Sequence, residues 1–138
     1  MRSLSIYILL ALISISVNVK AQSNLDSLWN VWDDETQEDT NRLKAIYNFA
    51  MYGYLDDFPD SAFYFSQTQY NFAKSVNNQK WMAKALYLQA ISFDNRNDVA
   101  NTLIYLKKLL LIYEELGDYN EIGPICTKIG VSYRRLGN

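Results

Sequence analysis

Three stretches forty residues apart decide the architecture: AIYNFAMYGYLDD (45–57), ALYLQAISFDNRN (85–97) and ICTKIGVSYRRLG (125–137). A small residue recurs at Ala50, Ala90 and Gly130. Four residues earlier stand Ile46, Leu86 and Cys126, and three residues later Gly53, Phe93 and Tyr133. Spacings of four and three place these positions on one face of a helix. The small residue lets a neighbouring helix come close, and the large ones fill the space on either side. All of these residues except Gly53 are the expected core of the repeat. Each window ends on a turn-prone residue, Asp57, Asn97 or Gly137.

A second helix is predicted after the first and second windows. Pro59-Asp60-Ser61 opens AFYFSQTQYNFAK with proline at the first helical position and an acidic residue beside it. Asn97-Asp98 opens VANTLIYLKKLLLIYEEL, where Leu103, Leu106, Leu110 and Tyr113 form a stripe that Gly117 stops. Asn77-Asn78 separates the first unit from the second. β-Branched residues do not gather in alternating runs, so no strand is predicted. Each unit is therefore helix, turn, helix, a hairpin that buries its apolar face only by stacking on neighbours. The expected class is all-α.

These residues resemble tetratricopeptide repeats in an extended form with a period near forty, of the secreted bacterial type. The large–small–aromatic pattern of the family's first helix is met by Leu86, Ala90 and Phe93, and by Cys126, Gly130 and Tyr133. Asn97-Asp98 and Leu136-Gly137 resemble its turn, and Ala62 matches the small residue of its second helix. Gly53 departs from the usual aromatic, and Thr102 from the usual alanine. The resemblance covers 41–138, in units of 41–79, 80–119 and an incomplete 120–138. It implies a right-handed α-solenoid of antiparallel helix hairpins. A HEAT-like stack of hairpins is the other architecture with this pattern.

In that family the first helices line a concave surface. The resemblance therefore implies a peptide groove faced by Tyr47, Met51 and Tyr54, by Tyr87, Ile91 and Asp94, and by Lys128, Val131 and Arg135. Aromatic anchors beside basic residues suit a peptide or a partner helix. At the positions of the family's carboxylate clamp stand Tyr47, Met51, Leu88, Pro124 and Lys128. Only Lys128 fits, so capture of an acidic carboxy-terminal tail is not implied.

Upstream of the repeats, Leu25, Leu28, Trp29 and Trp32 recur at i, i+3, i+4 and i+7 in the segment 22–40. A short helix that caps the open face of the first unit is expected there. Asp33, Asp34, Glu35, Glu38 and Asp39 follow as a solvated acidic link, expected to end in a helix cap at Asp39 or Thr40. The spacing of these acids lacks the order of a calcium loop.

The amino terminus reads as a secretory signal peptide, 1–21. Arg2 is followed by an apolar run from Ile6 to Val17, and Val19-Lys20-Ala21 forms the cleavage site. The run is shorter than a membrane span requires. The expected location is periplasmic or extracellular. Membrane contact is expected only if this signal stays uncleaved or a span follows downstream.

Composition excludes several function classes. The 138-residue chain has no histidine and one cysteine, so Ser-His-Asp and Cys-His catalysis, His-containing metal sites and an internal disulfide are ruled out. A net charge of -2 and basic pairs only at Lys107-Lys108 and Arg134-Arg135 give no nucleic-acid footprint. No enzyme, cofactor or metal is expected. Two functions remain. One is a protein-interaction scaffold outside the cytoplasm. The other, by analogy with the family, is the sensory part of a larger signalling protein whose output is a histidine kinase, a nucleotide cyclase or a DNA-binding regulator. The third unit stops where its second helix is due, which leads to the expectation of a fragment, or of a homodimer through the open last repeat.

Overall fold

The structure, a computed structural model, describes residues 24–137. The expected signal peptide lies outside the described residues. Within them stand six helices and no strand. They are α1 (24–33), α2 (Asp39–Gly53), α3 (Pro59–Ser75), α4 (Gln79–Asn95), α5 (Val99–Leu116) and α6 (Tyr119–Arg135). From α2 onward each helix packs on the next. The backbones of α2 and α4 also approach each other, and side chains of α6 reach past α5 to α4. No described helix is long and apolar enough to cross a membrane.

The chain repeats its turns every twenty residues. N-cap residues stand at Glu38, Phe58, Asn78, Asp98 and Asp118. Left-handed residues stand at Asn77, Asn97, Gly117 and Gly137. Asparagine and glycine are the residues that tolerate this conformation. At three of these turns the backbone closes the same way. Asn78, Asp98 and Asp118 donate their N–H groups five residues back, to the carbonyls of Ala73, Phe93 and Tyr113. At two of them the same residue then opens the next helix. The Asn78 side chain accepts from the Trp81 N–H at 3.2 Å, and Asp98 accepts from the Asn101 N–H at 3.1 Å. A helix end and a helix start thus share one residue, which keeps each turn short.

The core runs between the helices. Ile46, Ala50, Leu86 and Ala90 are buried. Ala50 and Ala62 pack with Leu55 and Leu88, while Leu86 and Ala90 pack with Leu106, Leu109, Tyr113 and Ile125. Phe93 is half-buried, 5.2 Å from the Tyr105 ring and 5.1 Å from Phe63. Thr102 is buried where alanine is usual, and its hydroxyl donates to the Asp98 carbonyl at 2.9 Å. That bond removes the cost of burying the hydroxyl.

The third window departs from expectation. Cys126 and Gly130 are exposed, and Tyr133 is only half-buried. α6 packs on α5 through Ile122, Ile125 and Ile129. Among the described residues no helix covers its other side, so the positions buried in the first two units stay open here.

α1 lies against the first unit. The Trp29 ring is 5.2 Å from Phe49 and 6.1 Å from Phe65, and Trp32 meets Phe72 at 5.3 Å. Gly53 explains itself here. A Cβ on it would come within 2.8 Å of Leu25, so the missing aromatic makes room for α1. The expected cap at Asp39 or Thr40 falls instead on Glu38, which makes no side-chain capping bond. Among the acids just before it, Asp34 is locally engaged. Asp34 accepts from the Thr36 N–H and hydroxyl and from Gln37, and these bonds hold its carboxyl below the usual value.

Candidate binding groove

Tyr47 of α2, Tyr87 of α4 and Lys128 of α6 line one pocket of about 340 Å³. They come from corresponding turns of three helices that start forty residues apart. Tyr113 and Leu109 of α5 form its inner wall. Volumes of this order hold small ligands or single side chains. Burial pushes the Tyr47 hydroxyl up, with Tyr87 adding to it. Burial likewise raises Tyr113, helped by the negative charges of Glu121 and Asp118.

Lys80 and Lys84 line the same pocket, and neither was visible as a site residue in the sequence. The Lys84 ammonium sits 5.4 Å from the centre of the Tyr47 ring and 5.0 Å from that of Trp81. The Lys128 ammonium sits 5.7 Å from the centre of the Tyr87 ring. Tyr47 and Trp81 are themselves edge to face at 5.9 Å. Aromatic faces hold these cations in place without neutralising them.

A second pocket of about 190 Å³ adjoins at Lys128. Ile91, Val131 and Arg135 line it, with Asp94 and the buried Leu106. Here the charge is already matched. Arg135 pairs with Asp94 and donates to Asn97 at 2.8 Å. Arg135 therefore closes the end of the groove and does not serve as a free cation.

Met51 and Tyr54 line neither pocket. Met51 packs with Tyr47 and Ile91 against Ala50 and Leu88. Tyr54 lies past the end of α2, at its C-cap, so the helical spacing from Tyr47 does not reach it. Its ring packs on Phe65 at 4.9 Å and Phe49 at 5.1 Å, beside α1. Among the described residues no group of three or more acidic or cysteine side chains is placed to hold a metal ion. No family model and no curated protein matches this chain.

Proposed function

We propose that this chain is a non-catalytic protein-interaction scaffold of the tetratricopeptide-repeat type, a right-handed α-solenoid of antiparallel helix hairpins acting outside the cytoplasm. It binds a peptide or partner helix along α4 and α6, with Tyr47 at one end and Arg135 at the other. The observation that supports this reading is the meeting of Tyr47, Tyr87 and Lys128 in one pocket adjoining a second, apolar one. Tyrosine offers large contact area at low entropic cost and recurs at binding hot spots.

The test is selection of a random heptapeptide library, displayed on phage, against the intact chain. Enriched peptides should lose about tenfold in affinity on Tyr87→Ala or Val131→Asp, with the far-ultraviolet circular dichroism unchanged. Enrichment of no peptide, or unchanged affinity in both variants, would contradict the reading.

A further inference from the structure

We propose that the segment bound in this groove carries an acidic side chain, held by Lys84 and Lys128, and an apolar side chain lodged between Ile91 and Val131. The inference rests on the groove being the binding face and names the chemistry of its occupant.

Uncompensated charge carries the argument. The described residues contain two ion pairs, Arg96 with Asp60 and Arg135 with Asp94. Lys80, Lys84 and Lys128 take part in neither, and their ammonium groups make no hydrogen bond among the described residues. Two acids, Asp118 and Glu121, face the same pocket. Three ammonium groups against two carboxylates leave the pocket net positive. Glu121 is seven residues before Lys128 on α6, about 10 Å by helical rise. The acids therefore occupy the Tyr113 end of the pocket, away from Lys128. Lys84 and Lys128 keep their donors for a ligand. Half-buried ammonium groups held over aromatic rings bind a carboxylate more strongly than mobile surface lysines do.

Geometry adds a spacing. Lys84 and Ile91 are two turns apart on α4, again about 10 Å. An extended peptide covers that distance in about three residues. The expected pattern is an acidic residue and a large apolar residue about three positions apart, within the segment and not at its end.

The heptapeptide selection tests this by composition. Enriched sequences should carry Asp or Glu about three positions from a large apolar residue. The leading peptide, resynthesised with Asp→Asn or Glu→Gln, should bind about tenfold more weakly at low ionic strength. The chain variant Lys84→Gln/Lys128→Gln should bind the acidic peptide about tenfold more weakly and the amide peptide unchanged. Three results would overturn the proposal: enriched peptides without acidic residues, equal binding of acid and amide forms, or binding that is lost when only the peptide carboxy terminus is amidated. Failure to enrich any peptide would instead overturn the groove itself.

Discussion

The side-chain amide of Asn95 donates to the backbone carbonyl of Leu55 at 2.8 Å, across forty residues of sequence. One unit thus binds the turn of the unit before it. One period later the corresponding position is Arg135, which reaches back to Asp94 and Asn97 in the same way. These contacts fix the register in which the units stack.

Asn95→Ala leaves the Leu55 carbonyl without its partner. It is expected to lower stability by about 1 kcal/mol in urea unfolding. Exposed Asn120, which makes no such bond, serves as control, and its alanine variant should unfold at the wild-type midpoint.

The left-handed turns respond to Cβ. Gly117 has φ +67° and open space around it, so Gly117→Ala introduces backbone strain and no clash. A loss of about 1 kcal/mol is expected. Asn77→Gly, at φ 53° and with a side chain that makes no hydrogen bond among the described residues, should cost nothing or stabilise slightly in the same assay.

Gly53 is a different case, because its role is to admit α1. Gly53→Phe needs space that Leu25 fills. The variant should release α1 while α2 to α6 stay folded. Protease cleavage between Trp32 and Asp39 should then rise, and near-ultraviolet signals from Trp29 and Trp32 should weaken.

Cys126 is exposed on α6. Iodoacetamide should modify it in the folded chain at close to the rate for the urea-unfolded chain. Strong protection of the folded chain would show that another surface covers it.

Asp98 gives a pH dependence with a defined sign. Its carboxylate accepts from the Asn101 side chain and N–H, which lowers it below the ordinary 3.8. A group lowered in the folded state stabilises fully above its unfolded value, and that stability is lost as pH falls through the folded value. Asp98→Asn can still cap α5 but does not titrate. Its stability should fall less steeply with acid than that of the wild type, measured by urea midpoints across the acid range.

Much of this fold was legible because helical periodicity is local. The windows at 45, 85 and 125 predicted the first helices, and Gly117 predicted the end of α5. The family resemblance placed Tyr47, Tyr87 and Lys128 on one side, where they share a pocket. Tyr54 was expected in the groove and lies outside it, because it stands past the last turn of α2, where helical spacing no longer applies. Lys80 and Lys84 escaped because a lysine at a helix start reads as solvated surface. Only the approach of α6 and Tyr47 makes a pocket of it. The burial of Cys126 and Gly130 was misjudged because burial depends on a neighbour across the helix, which the residues of that helix do not encode.

The most direct measurement is a backbone amide NMR titration of the intact chain with the leading selected peptide. The account predicts shift changes centred on Tyr87, Ile91, Lys128 and Val131, with Tyr47 at one edge. Changes centred instead on the aromatic surface around Phe58 and Tyr64, with α4 and α6 silent, would contradict it.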